Sequence, residues 1–560
     1  MSRPALPPKS MLIYFGVCTL AMVWPGALIA NRIEPMVLGL PFFIFWYVLW
    51  IFILFVGLVI AYRLEVSEEL TMSDSAIITG LTLGYLLVVL CVGLRARVNQ
   101  SSSLENYVAG GRHLGLLVLF FILGAEIFSA FAFLGAPGWS YSKGVPVLYI
   151  VAYVSLAVIG WWIVAPYISR LGRLHGFLTQ AEFFVACYPT RGNVLGLFVG
   201  VVSILAMVPY LAVQIAGTGL LFEAATSGTV PFWLGSLLAC GVVAAYVYAS
   251  GLQGIGWTNL LQGVMMVFIA WFLGLATADQ FFGGVGEMFR EIQRDAPEYL
   301  TMPGAQGMGW GNFSTSILVS TLGCLMWPHI FMKFYSARNE RTLKRVFILY
   351  PLYGYLLIPL IFIGFAGVIV LADQPLDSPD EVLPKLVVEI ANFSPWLIGL
   401  ALSGALAAAM STAANLAHTS ATILTRDIGQ NLPLGRNLEE AQVLKLTRAG
   451  VVVVSLAAYV LALFNPASLV SLLLGAYGVV VQLLPMLLGA LFWRRSSRAG
   501  AFCGLAVGAA VTLYYQFAGG ALFDWHPGFC GLAANTIVFI GVSLASKDVR
   551  AKSPAESLSS

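Results

Sequence analysis

Two adjacent hydroxyl residues, Ser411 and Thr412, follow a run of small and apolar residues from 406 to 410 within a long apolar stretch. Hydroxyl and free carbonyl oxygens are the ligands that a hard, weakly held cation such as sodium prefers. Hydroxyls in membrane helices also commonly bond back to the carbonyl of the preceding turn. The spacing alone therefore favours a pair of structural hydroxyls over a cation site.

Glu126 is the only acid near the middle of any apolar stretch. A charged group at the centre of a bilayer costs about 2.5–3.5 kcal/mol even on the lowest insertion scale, so such acids usually face a cavity and handle ions or protons. We expect Glu126 to take part in coupling. The alternative is a protonated, hydrogen-bonded acid with a structural role.

Four other polar residues lie within or near apolar stretches. Gln214, one turn after Tyr210, could hydrogen-bond a substrate or a neighbouring helix. His329 and His418 are single histidines, which more often pack than carry protons. Lys333 ends its stretch, and we expect its side chain to extend to the cytoplasmic surface.

The elements that must position these residues are apolar helices. The chain has 560 residues, of which 59% are hydrophobic and only 10% are charged. A soluble globular protein could not bury that much apolar surface, whereas about 20 apolar residues span a bilayer. The sequence predicts an all-α polytopic membrane protein with about 15 transmembrane helices in contact with lipid. The fifteen stretches lie near 11–30, 39–62, 76–94, 115–139, 145–168, 194–222, 231–249, 255–277, 312–334, 345–372, 394–424, 443–463, 467–493, 499–519 and 527–546.

Two of these stretches contain helix-breaking sequences. The stretch 115–139 has Gly124-Ala125 at its middle and a Gly-Ala-Pro-Gly sequence at 135–138, which we expect to end it. The stretch 312–334 has Gly323 and then Trp327-Pro328-His329. Proline removes a backbone donor, and interrupted helices expose the backbone groups that a transport site uses. The two lie five stretches apart, which favours paired sites in a five-plus-five repeat over two ordinary kinks.

Loop charges alternate along the chain. Arginine and lysine concentrate in the gaps 95–114, 169–193 and 335–345, whereas the gaps 63–75 and 373–393 are acidic. The positive-inside rule places the basic gaps and the C-terminus in the cytoplasm. We therefore expect a multi-pass protein of the cell (plasma or inner) membrane.

The termini complete the predicted organisation. Residues 1–70 are expected to form an uncleaved two-helix membrane domain, although a cleaved signal peptide is an alternative because basic residues precede the first apolar run. With fifteen spans and a cytoplasmic C-terminus, the N-terminus lies outside, although basic residues precede the first span. The polar tail 547–560 is predicted to be a disordered cytoplasmic segment.

Several function classes find no support in the sequence. The net charge of +3 is too small to indicate a nucleic-acid partner. The seven cysteines form no CxxC pair, so neither a metal site nor a disulfide framework is predicted. The five histidines are scattered, and no nucleophile lies beside a base, so the sequence does not predict an enzyme. It gives no indication of oligomeric state.

Three motifs carry a family resemblance. The stretch 248–262, with Trp257-Thr258-Asn259 followed by Gln262, is similar to the Trp-Thr-Asp-x-x-Gln motif of the sodium:solute symporter family, with Asn259 where aspartate is usual. Residues 406–412 resemble the family's sodium motif, and 492–504 resemble its late signature. The resemblance runs from about 70 to 546.

The resemblance implies the fold of the bacterial leucine transporter, with one symporter domain over 71–546. Its inverted repeats would be 115–277 and 312–493. It also implies sodium as the coupling ion, with no other metal and no cofactor. The implied sodium ligands are backbone or hydroxyl oxygens of five residues, namely Ala125, Phe128, Ala408, Ser411 and Thr412.

One departure leaves the coupling open. Aligning on 135–138 places Ile127 where proline-transporting members carry an aspartate, with Glu126 adjacent. The stoichiometry, and the choice between sodium and protons, therefore stay undetermined.

Within the family the chain looks most like the pantothenate and monocarboxylate permeases, and residues 31–43 resemble a small membrane domain of unknown function. The implied function is sodium-coupled import of a small organic acid. Alternatives are the same fold carrying proline, another amino acid or a sugar, a proton-coupled permease, or a membrane sensor acting through a separate partner. The candidate substrate or coupling residues are Glu126, Ser129, Tyr210, Gln214, Trp327 and His329.

Overall fold

In a computed structural model of the protein, the described residues form helices joined by loops, and none of them lies in a β-strand. The chain divides into two compact units, Met1–Asp74 and Ser75–Ser560. The described residues are 9–22, 32, 42, 46–47, 49–50, 53–54, 74–96, 103–125, 128–189, 193–226, 228–374, 376–390, 393–432, 435, 437–464, 469–518 and 522–546. The tail predicted at 547–560 lies outside them.

The first unit contains helix α1 (Lys9–Met22). Its last carbonyls, which lack partners within the helix, accept hydrogen bonds from aromatic side chains further along the chain. Trp46 Nε1 donates to the carbonyl of Ala21 at 2.8 Å, and Tyr47 Oη donates to that of Met22 at 2.7 Å. The second helix predicted at 39–62 lies largely outside the described residues, so the two-helix domain stays a prediction.

The second unit is a bundle of long helices. The helices are α2 (Asp74–Arg95), α3 (Leu104–Ala109), α4 (Leu116–Ala125), α5 (Ala136–Lys143), α6 (Leu148–His175), α7 (Gln180–Cys187), α8 (Val194–Ala225), α9 (Phe232–Phe282), α10 (Val285–Asp295), α11 (Trp310–Met326), α12 (Pro328–Ser336), α13 (Glu340–Leu349), α14 (Leu352–Val370), α15 (Pro395–Ile423), α16 (Glu440–Phe464), α17 (Leu469–Val480), α18 (Leu484–Phe492), α19 (Arg498–Ala518) and α20 (Pro527–Ala545).

Ten helical segments among the described residues are long and apolar enough to cross a membrane, and α11 with α12 adds an eleventh as a bent pair. The all-helical membrane architecture agrees with the sequence. The number fifteen stays a prediction, because residues 126–127 and most of 39–62 are not described. The five-plus-five repeat also stays a prediction.

Gly251 breaks the longest helix, α9, into the two spans that the sequence predicts at 231–249 and 255–277. Its φ of +54° is a conformation that favours glycine. A Cβ atom at Gly251 would lie 2.6 Å from the carbonyl oxygen of Tyr107, so the break also lets α3 approach closely.

The interruption predicted in 312–334 is present. Helices α11 and α12 meet at an angle of 44°. Trp327 lies between them with extended-type backbone angles (φ −56°, ψ 122°), and Pro328 begins α12, where its missing N–H is tolerated.

The first interruption differs from its prediction at one end. Helix α4 ends at Ala125, and Phe128 and Ser129 are non-helical, as expected near Gly124-Ala125. The sequence at 135–138, however, does not end the span. A π-helical turn at Phe131–Gly135 leads directly into α5, which continues to Lys143. The expectation was wrong because Pro137 lies in the first turn of α5, where proline is compatible with a helix.

Candidate ion and solute site

The oxygen atoms predicted to hold sodium lie together on α15. Ser411 Oγ is 2.9 Å from the carbonyl oxygen of Ala408, and Thr412 Oγ1 is 3.4 Å from the same oxygen. All three residues are fully buried. The hydroxyls therefore make the back-bonds of the structural interpretation, and both lie within 3.4 Å of the same carbonyl oxygen. These residues fit a small hard cation, and their role as ligands stays a prediction.

The remaining predicted ligands lie at the first helix interruption. Ala125 is the last residue of α4, and Phe128 follows two residues that the structure does not describe, Glu126 and Ile127. The Phe128 side chain is 1% exposed, and its N–H donates to the carbonyl of Gly124 at 3.2 Å. Helix α15 packs against both α4 and the π turn that follows the interruption. The roles predicted for Ala125, Phe128 and Glu126 stay predictions.

Gln214 on α8 holds the start of the second half-helix. Its Oε1 accepts a hydrogen bond from the N–H of Ala130 at 2.9 Å, and its Nε2 donates to the carbonyl of Tyr210 at 3.4 Å. A Cβ atom at Gly217, one turn further on, would lie 2.4 Å from the Cβ of Ala130. Glycine there is what lets α8 approach the interruption closely enough for this contact.

Three predicted solute residues meet at the second interruption. The ring of Tyr210 lies 5.1 Å from that of Trp327 and 6.0 Å from that of His329, and the last two rings are 5.3 Å apart. Gln214 is one turn from Tyr210, so one segment of α8 touches both interruptions. The structure therefore brings Tyr210, Trp327, His329 and Gln214 into one neighbourhood.

Two buried donors near these interruptions have no hydrogen-bond partner among the described residues. They are the indole Nε1 of Trp327 and the hydroxyl of Ser129, in side chains that are 1% and 0% exposed. Buried polar groups normally have partners, so each such group needs an explanation. An indole N–H is only a donor, and a bound acceptor would satisfy it.

An aromatic column leads from these residues to the far end of α5. It consists of Trp139, Tyr149, Tyr153, Tyr477 and Trp327, with successive ring centroids 5.0, 5.8, 5.5 and 5.3 Å apart.

Lys143 lies at the other end of the column, with its Nζ 4.2 Å from the Trp139 ring centroid. Burial lowers the pKa of this half-buried lysine. No ion pair involves Lys143 among the residues described.

The expectation for Lys333 was wrong. Its side chain is 1% exposed and does not extend to the surface. Lys333 lies one turn after His329 on α12, whose residues are all buried, so the helix offers no outward face. His418 is fully buried, and its Nε2 lies 3.0 Å from the carbonyl oxygen of Tyr107.

Two buried amides were not singled out as site residues from the sequence. Both amide atoms of Asn259 and the Oδ1 of Asn415 lack hydrogen-bond partners within the described part of the chain, and both residues are 0% exposed. Asn415 Nδ2 donates to the carbonyl of Ser411 at 3.3 Å, next to the oxygen cluster. An amide within an apolar helix is the sequence signal that could have identified each of them.

The comparisons with known proteins agree with this architecture. A model of the sodium:solute symporter family matches residues 107–508. The uncharacterized symporter YhjB of Bacillus subtilis is 31% identical over 84% of this chain and 97% of its own. The sodium/proline symporter of Escherichia coli is 26% identical over 81% and 91%, and a monocarboxylate transport permease protein of Rhizobium johnstonii is 26% identical over 79% and 90%.

Structural similarity supports the same fold. A Na⁺-coupled sialic acid symporter in a substrate-bound, outward-open state superposes with a TM-score of 0.74, at 16% identity, over 85% of this chain and 99% of that one. Proline symporters and a monocarboxylate permease occur together among the relatives, so the relatives do not single out one solute. From the family match, its extent and the shared fold, this chain belongs to the sodium:solute symporter family and is a multi-pass, sodium-coupled transporter rather than an enzyme.

Proposed function

We propose that this protein imports a small organic acid, a monocarboxylate or pantothenate-like solute, across the cell membrane together with sodium. Sodium binds at Ala408, Ser411 and Thr412 on α15, with carbonyls of Ala125 and Phe128 completing its shell. The solute binds between the two helix interruptions. The C-terminus lies in the cytoplasm, as the positive-inside rule predicts.

The observation that carries the choice of solute is the unpartnered indole N–H of Trp327. A carboxylate is an acceptor with no donor when ionised, so it complements this group and the hydroxyl of Ser129. The Ala130 N–H held by Gln214 marks a half-helix start, where the helix dipole favours an anion.

Lys143 adds electrostatic support. It is a half-buried cation over an aromatic ring, and the aromatic column connects it to Trp327. An anionic solute approaching from that end gains attraction from Lys143 before it reaches the interruptions. The relative named a monocarboxylate transport permease is consistent with this solute class.

The test is uptake by purified protein in proteoliposomes. Radiolabelled pyruvate, lactate, pantothenate and proline are compared under an inward sodium gradient, a proton gradient and no gradient. We expect sodium-driven accumulation of one of the first three. Accumulation of proline alone would replace the solute and keep the coupling, whereas no accumulation of any would contradict the proposal.

Proton-driven accumulation without sodium dependence would move the coupling role to Glu126, the acid of the first interruption. Its variant Glu126→Gln should then flatten the pH profile of uptake. An unchanged profile would identify Glu126 as structural.

A further inference from the structure

The segment Leu178–Glu182, here called the linker segment, connects α6 to α7 and includes the first turn of α7. Hydrogen bonds among its own residues fix its conformation. Thr179 caps α7 by accepting a hydrogen bond from the N–H of Glu182, and the Glu182 carboxylate accepts from the N–H groups of Leu178 and Thr179 at 2.6 and 3.2 Å. Such a reciprocal capping box rigidifies a helix start.

One side of the linker segment holds the end of α15. Arg426, in the π-helical turn that follows α15, donates to the Glu182 carboxylate through its Nε at 2.7 Å and also through Nη2. Thr179 Oγ1 donates to Asp427 Oδ1 at 2.6 Å, and that aspartate is 4% exposed. The helix that carries Ser411 is therefore held here, 15 residues beyond Ser411, or about 22 Å along a helix.

The other side of the linker segment holds the second helix interruption. Gln180 Nε2 donates to the carbonyl of Met326 at 3.0 Å, directly before Trp327. Tyr335 Oη on α12 donates to the carbonyl of Thr179 at 3.4 Å. Gln180 and Thr179 are 1% and 0% exposed, so these bonds lie in the protein interior.

The contacts on the α15 side of the linker segment border a surface depression of about 420 Å³, lined by Glu182, Arg426 and Asp427 among others. Water reaches the depression, so it is a place where these bonds can exchange with solvent when the helices move. The capped helix start can carry a movement of one helix to the other. The hydrogen bonds that border the depression can break during that movement, because water can replace them.

We propose that the linker segment couples the sodium-bearing helix α15 to the interruption at Trp327, so that sodium and solute cross together. This inference rests on the proposed function, because it assigns sodium to α15 and the solute to the region of Trp327. Its residues position the two sites and contact neither ion nor solute. Weakening either end of the link lets sodium move without solute.

The experiment measures ²²Na⁺ and labelled solute entering the same proteoliposomes. Gln180→Leu breaks the bond to Met326, and Arg426→Gln breaks the bond to Glu182. We expect each variant to raise the sodium-to-solute ratio at least threefold, with the solute KM and the half-saturating sodium concentration within twofold of the wild type. Because the two bonds act in series, the sodium-to-solute ratio of the double variant should match that of the single variants rather than combine their effects.

Arg170→Gln is the matched control. It removes an arginine–glutamate pair, with Glu340 at 3.0 Å, that joins α6 to α13 and is more exposed. Its ratio should stay at the wild-type value. Arg426→Lys, which keeps the charge, should restore most of the coupling and also shows that the position tolerates replacement.

An unchanged ratio in both single variants would overturn the inference, as would a solute KM that rises with the ratio unchanged. The wild type is measured first. Wild-type protein that accumulates no solute contradicts the proposed function, whereas a coupled wild type with coupled variants contradicts only the role of the linker segment.

Discussion

The oxygen cluster on α15 and the aromatic cluster at Trp327 are built from different kinds of residue, small ones in the first and large aromatic ones in the second. The first uses Ala408, Ser411 and Thr412, with the two hydroxyl oxygens 2.9 and 3.4 Å from the Ala408 carbonyl oxygen. The second uses Tyr210, Trp327 and His329, with ring centroids 5.1 to 6.0 Å apart. An ion is selected by a few oxygens at fixed spacing, whereas an organic solute needs apolar walls and a few directed polar groups. A substitution should therefore act first on the site it lies in, on sodium affinity at α15 and on solute affinity at Trp327.

The largest effect is expected from removing both hydroxyls of the oxygen cluster. In Ser411→Ala with Thr412→Ala, the half-saturating sodium concentration should rise at least tenfold, because a hydrogen bond or ligand to a charged group contributes roughly 1.5–3 kcal/mol. Solute binding at saturating sodium should change less than twofold.

The matched control on the same helix is Ser403→Ala with Thr422→Val. Both hydroxyls are buried and bond back to the preceding turn, at 2.7 and 2.9 Å. Sodium dependence should be unchanged. If the control pair shifts it as much as the test pair, the cluster is structural and the comparison between the two sites fails.

The second effect sharpens the solute side. Trp327→Phe keeps an aromatic ring, although a smaller one, and removes the buried Nε1 donor, so the solute KM should rise about tenfold, by the roughly 1.5 kcal/mol of a hydrogen bond to a charged group. Sodium binding measured without solute should be retained. Thermal stability should fall by no more than the smaller ring costs, because the lost donor has no protein partner among the described residues.

Trp161→Phe provides the control. Its Nε1 is also buried and has no partner in the part of the chain that the structure describes, and its ring packs against Phe334, Phe347 and Tyr350. Uptake should be unaffected. Equal losses in the two tryptophan variants would remove the indole of Trp327 from solute recognition.

A smaller effect is expected at the end of the aromatic column. Lys143→Gln should raise the KM for a carboxylate about threefold and leave sodium dependence unchanged, since one partly screened charge pair contributes roughly 0.2–1 kcal/mol. Arg290→Gln, which removes an exposed charge on α10, should have no effect.

The same residue predicts a pH dependence. Burial lowers the pKa of Lys143, so its charge is lost at a lower pH than that of an exposed lysine. The carboxylate KM of the wild type should therefore rise toward alkaline pH, and Lys143→Gln should abolish that rise. A rise that persists in the variant would exclude Lys143 as its source.

The smallest effect concerns stability away from both sites. Burial, together with Asp377 and Asp380, raises the pKa of Glu381. The folded protein then holds this proton more tightly than the unfolded chain, so stability falls as pH rises above the ordinary carboxyl range.

Glu381→Gln should accordingly raise the melting temperature by about 1 °C at pH 7.5 and leave it unchanged near pH 4. Asp295→Asn is the opposing control, because Arg294 lowers the pKa of Asp295. That variant should lower the melting temperature slightly at pH 7.5. The same sign in both variants would contradict this account.

Local sequence determined much of the fold. Long apolar stretches predict membrane helices, and the missing donor of proline favours the interruption found at Trp327-Pro328. Motifs over 248–262 and 406–412 were sufficient to identify the family. The predicted end of the stretch 115–139 was wrong because the same Gly-Ala-Pro-Gly sequence can end a helix or begin one. Only the preceding π turn decides which of the two occurs.

The tertiary structure decided what long-range contacts alone can fix. No pattern along the chain shows that Gln214 meets Ala130, that Lys333 is buried, or that Glu182 binds Arg426 across 244 residues. Hydropathy indicates whether a helix can lie in lipid, whereas these contacts depend on which face of the helix another helix covers. The sequence by itself determined the all-helical membrane class, the break at Trp327-Pro328 and the family, and packing decided which polar groups share a site, because partners distant in sequence must be brought within a few ångströms to interact.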